Sequence, residues 1–455
     1  MLLTGLLLSV QVGYAQLKVR VEERYELTSI IFALAGVPEY CQGGIPSYFQ
    51  DMVDEFRPYE LSEPVEFVRE LHQVHRIGYN AVPAAACMLE IKNGKISLQP
   101  KYVISKVSEM DSRWTEALFS QFITQLNIFY KESKFHTFFE KHKDLYNLAE
   151  QRVNEHIKNT ATDWFASFFG EPLSPDIEIY ISLTNGPNNY STPDGVLLGM
   201  MSDAEGQPAP NANTTALLIH EISHHYTYPI FLSYWDKMKG AADTIYPPIM
   251  YKMAAIAYGD ARTSMNEWFN NLAVLMYQKE SKDQWFKASI YHNMKRGFIW
   301  MQRSVDFMEY FYADRDSYPY IKDFMPQLVS FLDYTAQNFA FVEREFEASQ
   351  PYMTHIFPAP GFDITQTDEI VITFSEPMLG STGFEIISEE GIEILPVSDL
   401  VWANDKRQIR LKLTPQKIEY GHTYGIRLRP EWFKSARYFD LHEMSKDVIF
   451  KIEHK

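Results

Sequence analysis

Cysteine is nearly absent from this chain, which has only Cys41 and Cys87 among its 455 residues. Two cysteines cannot build the disulfide framework that holds many small secreted domains together. Neither lies close in sequence to a cluster of histidine and aspartate, so thiol catalysis has no support. The two residues either form one disulfide in an exported protein or are small buried apolar side chains.

Basic residues and long apolar runs are also scarce. The 42 lysines and arginines are outnumbered by 59 acidic residues. The resulting net charge of −17 repels a phosphate backbone, so nucleic acid is excluded as an expected partner. Past the N-terminus no stretch reaches the roughly 18 apolar residues that a membrane span needs, and no internal repeat is present. A chain of this length predicts two or three domains.

The one apolar segment lies at the N-terminus, over residues 1–15. It has the length of a secretory signal peptide, and the small residues Gly13 and Ala15 favour cleavage before Gln16. The segment has no lysine or arginine, and no cysteine follows it that could carry a lipid anchor. We therefore expect an exported protein that is periplasmic, at the cell surface or extracellular, with no transmembrane segment beyond this signal.

A histidine motif gives the clearest indication of chemistry. His220, Glu221 and His224 form an H-E-x-x-H pattern within Thr214–Tyr228, a stretch without glycine or proline that predicts a helix ended by Pro229. Residues four apart share a helix face, so the two imidazoles can hold one metal ion. Glu221 lies about 100° round the helix from His220. From that position its carboxylate can reach a water on the metal without being a ligand itself.

A catalytic zinc needs a third protein ligand and one open position. The third histidine of the metzincin pattern is replaced by Ile230, which excludes that class. The best candidate is Glu267, because it lies among large apolar residues in the predicted helix Asp260–Lys279. Asp243 in a predicted Gly240–Asp243 loop is an alternative, and His225 is expected to point away from the pair.

His220-Glu221-x-x-His224 followed by Asn266-Glu267 resembles the gluzincin class of zinc metallopeptidases. The resemblance implies His220, His224 and Glu267 as ligands of one catalytic Zn²⁺ and Glu221 as the general base. It places Asn271 where an aspartate often supports a ligand histidine. The chain is also similar to an uncharacterised family of exported bacterial proteins classed as a domain of unknown function.

The rest of the chain divides by composition. Strands are predicted at Asp176–Thr184, which alternates like a half-buried strand, and at Val196–Met201; either could pair with an extended peptide. Helices predominate elsewhere up to about residue 347. Prolines between 351 and 360 mark a boundary, and short alternating strands follow. The expected architecture is a mainly α-helical α+β, zincin-like domain over 16–350 and a C-terminal β-sandwich over 357–455 that resembles bacterial Ig-like modules.

These predictions lead to a secreted zinc metallopeptidase that cleaves peptides or proteins through a zinc-bound water activated by Glu221. Two alternatives stay open: a catalytically silent binding protein with the same fold, and a zinc hydrolase of a non-peptide bond. The donor that would stabilise the oxyanion is left open among Tyr226, Tyr246, Tyr258, Arg262 and His292.

Overall fold

The computed structural model describes residues 17–193, 195–359, 362–380, 384–385, 387 and 389–451. The predicted signal peptide, 1–15, lies outside the described residues. The protein is multidomain, with a helical region followed by a C-terminal β-sheet region. Within the described residues, no helix combines the length and the apolar character that crossing a membrane requires.

The helices of the described residues, in chain order, are α1 (Glu23–Leu34), α2 (Pro46–Phe56), α3 (Glu63–Gln73), α4 (Ala81–Met88), α5 (Val107–Met110), α6 (Glu116–Glu132), α7 (Phe135–Lys141), α8 (Lys143–Ile157), α9 (Asp163–Phe169), α10 (Thr214–Ala255), α11 (Ala261–Glu280), α12 (Phe286–Arg296), α13 (Met301–Ala313), α14 (Ile321–Gln337) and α15 (Phe339–Ala348). The strands are β1 (Val19–Arg20), β2 (Leu89–Lys92), β3 (Lys95–Leu98), β4 (Glu178–Ser182), β5 (Tyr190–Thr192), β6 (Gly195–Gly199), β7 (Met201–Ser202), β8 (Pro208–Ala209), β9 (Met353–Phe357), β10 (Glu369–Phe374), β11 (Phe384–Glu385), β12 (Ile392–Ile394), β13 (Val397–Trp402), β14 (Gln408–Leu413), β15 (Thr423–Leu428) and β16 (Asp447–Lys451).

The chain divides into two compact units. The first contains the chain up to Ser233 together with Phe269–Tyr277 and Asp314–Met325. Its sheet has the order β1-β4-β6-β5, in which β1, β4 and β6 are parallel and β5 is antiparallel to β6.

The predicted half-buried strand, β4, is instead buried along most of its length, with Ile179, Tyr180, Ile181 and Ser182 all almost inaccessible. A parallel strand in the interior of a sheet is covered on both faces, which sequence alternation cannot reveal. The two strands predicted as edges, β4 and β6, are also interior strands, and β5 forms the edge beside β6. The expectation that either of them pairs with substrate is therefore wrong.

Helix α10 runs well past its predicted end. The helix continues through Pro229 to Ala255, and the predicted loop at Gly240–Asp243 lies inside it. Proline costs about 3 kcal/mol in a helix interior, so tertiary contacts must offset that cost. The added half supplies them through a buried stripe at helical spacing, consisting of Phe231, Met238, Ala242, Ile245 and Met253.

The second unit comprises Tyr234–Trp268, Gln278–Ala313 and the chain from Pro326. Among its helices, Trp268 is fully buried and donates its indole N–H to Ser304 Oγ at 3.0 Å. Its strands form two sheets. The first has the order β13-β14-β10-β9. In the second, β11, β12 and β16 each pair with β15. Both sheets contribute to a shared apolar core that includes Ile370, Ile409, Ile426 and Phe450.

The β region begins at Met353, where β9 pairs with β10. The two cysteines do not form a disulfide. Cys87 is a buried apolar side chain, as one alternative predicted, whereas Cys41 is exposed.

Candidate metal centre

The two histidines of the H-E-x-x-H motif lie together on α10. The Nε2 atoms of His220 and His224 are 3.2 Å apart, and their rings meet edge to face with centroids 4.8 Å apart. Two nitrogens that each lie about 2.05 Å from one ion at a tetrahedral angle are about 3.3 Å apart. The spacing of these imidazoles therefore matches that of two ligands of one tetrahedral metal ion.

Glu267, on α11, joins the two histidines. One ligand atom from each of His220, His224 and Glu267 lies within 4.8 Å of the other two, and all three residues are half-buried. This is the one group of histidine, cysteine and acidic side chains in the described residues that could hold an ion. Two imidazole nitrogens and a carboxylate oxygen form a donor set that suits zinc, so the residues present fit such an ion.

Tyr258 supports the carboxylate of Glu267. Burial and the negative charge of Glu267 raise the pKa of Tyr258 well above its usual range, and the two side chains are hydrogen-bonded. Arg296 Nη2 donates to the hydroxyl of Tyr258 at 3.2 Å. Tyr258, predicted as one of several oxyanion donors, is thus placed against a candidate ligand.

Asn270 contacts both imidazoles, and sequence reasoning missed it. Its fully buried amide nitrogen lies 3.2 Å from His220 Nδ1, 3.1 Å from the His220 carbonyl oxygen and 3.2 Å from His224 Nε2. Thr227, also fully buried, can donate its hydroxyl to Asn270 Oδ1 at 2.7 Å or to the Ser223 carbonyl oxygen at 3.0 Å. The resemblance assigns a supporting role to Asn271, the next residue on α11. Because Asn270 is three residues from Glu267, it shares the same helix face, and that spacing was the available signal.

Glu221 is buried on α10. Burial and the charges of Glu39, Tyr79 and Glu221 raise the pKa of Tyr190 well above its usual range. Tyr190 is the first residue of β5, so Glu221 is within electrostatic reach of the edge strand. Glu221 directly follows His220 in the helix.

His225 links α10 to the sheet that contains β5 and β6. Its Nε2 lies 3.3 Å from Ser191 Oγ on β5 and 3.1 Å from the Gly195 carbonyl oxygen on β6. His225 therefore points away from His220 and His224, as expected. Its contacts fix the edge strand relative to the motif helix.

A pocket of about 410 Å³ opens beside His225. It lies between the end of β5, the face of α10 that follows His224, and the segment after α9. Its lining combines apolar surface with two acids and one cation. The lining residues are Phe169, Glu171, Pro172, Ser174, Asp176, Ile177, Pro193, His225, Tyr226, Pro229, Ile230 and Lys322.

The remaining predicted residues lie outside the group of three. Asp243 is exposed on α10 and pairs with Lys239, so its predicted loop position is wrong and it takes no part in the group. Tyr226 donates its hydroxyl to the Pro172 carbonyl oxygen at 2.9 Å, and Tyr246 donates to that of Tyr258 at 3.4 Å.

No protein-family model, no curated protein and no solved structure matches this chain. The geometry of the centre is therefore the basis for any statement about its function.

Proposed function

We propose that this protein is a secreted zinc-dependent metallopeptidase of the gluzincin type that hydrolyses peptide bonds. The observation that carries the proposal is the convergence of His220, His224 and Glu267 within 4.8 Å, on two helices that bear the predicted motif. The two imidazoles and the carboxylate would hold the ion. The zincin-like fold and an Ig-like identity for the C-terminal sheets belong to the same proposal.

Zinc, when bound at such a centre, lowers the pKa of a coordinated water to about 7 and polarises a carbonyl group. Glu221 supplies the base. It follows His220 directly and lies about 100° round the helix from it, so its carboxylate is beside the ligands without joining them. At that position the carboxylate accepts a proton from water and later returns it to the leaving amine.

Strand β5 provides a place for an extended peptide. Among the described strands β5 pairs only with β6, so no described strand occupies its other edge, and strand addition by a peptide would use that edge. Ser191, in the middle of β5, contacts His225, next to the second histidine of the motif. A peptide added to this edge would therefore run alongside the motif helix, close to Glu221.

The test measures zinc content and peptide turnover in the wild type and three variants. Glu221→Gln should keep zinc and lose turnover by at least about 100-fold, since general-base catalysis contributes roughly 10²–10⁴-fold. Glu267→Ala should weaken zinc binding by more than the 10–100-fold loss typical of supporting residues. Asp243→Asn is the matched control and should change neither quantity.

The outcomes separate the competing functions. Zinc bound without turnover on a mixed peptide library would favour a silent binding protein, and release of product from a cell-wall or glycan substrate would favour a hydrolase of another bond. Full activity in the Glu221→Gln variant would reject the base assignment. Unchanged zinc content in the Glu267→Ala variant would remove this residue from the ligand set.

A further inference from the structure

Helix α12 contacts the β region on one side and the support of a candidate metal ligand on another. Tyr291 and Lys295 of α12 contact the β region. Arg296 contacts Tyr258, whose side chain is hydrogen-bonded to that of Glu267. All of these residues belong to the second compact unit. We propose that the β region, acting through α12, positions Glu267 as a metal ligand. This inference rests on the proposed metal site and gives the β region a part in it.

The contact between α12 and the β region is centred on a buried acid, Asp440. Its side chain is 8% exposed and forms an ion pair with Lys295, and Lys434 Nζ lies 3.9 Å from its other oxygen. The backbone N–H of Asp440 donates to the Tyr291 hydroxyl at 2.9 Å, and the rings of Tyr291 and Phe439 are 4.6 Å apart. Tyr291 and Lys295 are four residues apart, so they share one helix face. An ion pair to a buried carboxylate, a hydrogen bond and a ring contact therefore fix this face of α12 against the β region.

The residue after Lys295 contacts the support of Glu267. Arg296 Nη2 donates to the Tyr258 hydroxyl at 3.2 Å, and the guanidinium lies 5.5 Å from the centre of the Tyr258 ring. Because the hydroxyl oxygen accepts from Arg296, its own proton is left to donate to Glu267. Arg296 lies about 100° round the helix from Lys295, so α12 presents one face to the β region and an adjoining face to Tyr258.

The end of α12 is packed against the segment that carries Tyr258. Tyr258 lies between α10 and α11, and its backbone N–H donates to the Met253 carbonyl oxygen at 2.9 Å. Gly297 follows α12, and a Cβ at that position would overlap Met253 Cε. The ring of Phe298 lies 6.3 Å from that of Tyr258. A shift of α12 would therefore displace Tyr258 and, with it, the carboxylate that Tyr258 holds.

A carboxylate that binds metal is oriented by the hydrogen bonds it accepts from its neighbours. Here the neighbour of Glu267 is the Tyr258 hydroxyl, which Arg296 holds in turn. Asp440 and Lys295 fix the helix that carries Arg296. Each of these four residues acts on the ion through another residue, so all four are positioning residues.

The first experiment measures the zinc affinity of the full chain by competition with a chromophoric chelator. Tyr258→Phe should bind zinc about 10–100-fold more weakly, the usual loss for a residue that supports a ligand. Lys295→Met should weaken binding by up to about tenfold, because it acts from farther away. Tyr310→Phe removes an exposed hydroxyl on α13, and Arg427→Met breaks an ion pair between β15 and β16. These two controls should bind zinc as the wild type does.

The second experiment combines Tyr258→Phe with Lys295→Met to distinguish transmission through Tyr258 from a general loss of stability. If the β region acts through Tyr258, adding Lys295→Met to Tyr258→Phe should weaken zinc binding by less than about twofold, because the link is already broken. Independent effects would multiply. A double variant whose loss equals the product of the two single losses would overturn the proposal.

The metal site and the role of the β region fail differently. A wild-type protein that binds no zinc would overturn both. If the wild type binds zinc, an equal affinity in Tyr258→Phe or in Lys295→Met would overturn only the role of the β region. If Lys295→Met does not fold, Tyr291→Phe takes its place in both experiments, because it removes the acceptor of the Asp440 N–H and keeps the ring contact with Phe439.

Discussion

At the scale of single residues, the first unit contains a buried glutamate, Glu26, whose two carboxylate oxygens both accept hydrogen bonds. Glu26 on α1 is inaccessible, and its carboxylate accepts hydrogen bonds from Tyr48 Oη at 2.7 Å, Leu183 N at 2.7 Å and Thr184 Oγ1 at 2.8 Å. Leu183 and Thr184 directly follow β4. A buried carboxylate is tolerated only when its oxygens are paired in this way. Glu26 therefore ties the first helix to the end of the central strand.

This arrangement predicts a large cost for a small change. Glu26→Gln keeps the side chain's size but removes the negative charge and replaces one accepting oxygen with an NH₂ group, so the hydroxyls of Tyr48 and Thr184 must turn to accept from it while Leu183 N keeps the remaining oxygen. We expect it to lower the free energy of unfolding by about 2–4 kcal/mol, the usual cost of breaking hydrogen bonds to a buried charge. Chemical denaturation measures this loss. Glu55→Gln, at an exposed position on α2, is the control, and a loss no greater than that of the control would contradict the role of Glu26.

At the scale of elements, helix starts were easier to predict from sequence than helix ends and strand burial. The helix predicted at Asp260–Lys279 is confirmed as α11, and α10 begins at Thr214 as expected. Periodicity and capping residues are local signals, so they suffice for such elements. The continuation of α10 past Pro229 depends on buried contacts of its second half, which no local rule contains.

The β region shows the same limit. β14 and β15 are short strands of the kind predicted after the proline-rich boundary, and apolar residues line one buried face in each. β13 was not predicted: as an edge strand it has no buried residue, so its sequence carries little apolar alternation. The candidate site follows this pattern. The motif spacing indicated His220 and His224, whereas the contacts of Asn270 depend on how α10 and α11 pack.

A cross-strand ion pair in the β region gives a pH-dependent prediction. Arg427 on β15 donates to both carboxylate oxygens of Asp447 on β16, at 2.6 and 2.9 Å, and these hydrogen bonds lower the pKa of Asp447 below its usual range. A depressed carboxyl pKa stabilises the folded state above the unfolded pKa of about 3.9, and this contribution is lost as the pH falls through the folded pKa.

Asp447→Asn should therefore lower the melting temperature at pH 7, and the difference from the wild type should shrink progressively as the pH falls below about 4. Because the pair is about 30% exposed, the loss at pH 7 should be at most about 1 kcal/mol. Thermal unfolding from pH 7 downward measures the difference. Asp399→Asn, which removes a charge from the exposed 4.0 Å pair with Lys412, is the control. A difference between wild type and Asp447→Asn that does not shrink below about pH 4 would contradict this assignment.

At the scale of the whole molecule, the compact units are not consecutive pieces of chain. Each contains segments from both sides of residue 300, and α10 and α11 contribute residues to both units. The candidate ligands lie on two helices, His220 and His224 on α10 and Glu267 on α11. Such a ligand set is assembled only in the folded protein, so an ion that binds it binds the native state and not the unfolded chain.

Removal of an ion from the proposed site should consequently destabilise the folded protein. Free zinc at about 1,000 times its dissociation constant would stabilise the native state by about 4 kcal/mol, and a chelator would remove that stabilisation. Melting should therefore occur at a lower temperature with chelator and return to its original value when zinc is added in excess. The doubly substituted His220→Ala, His224→Ala protein should melt at one temperature under all three conditions. If its melting responds to chelator as the wild type does, the stabilising ion lies elsewhere in the chain and His220 and His224 do not hold it.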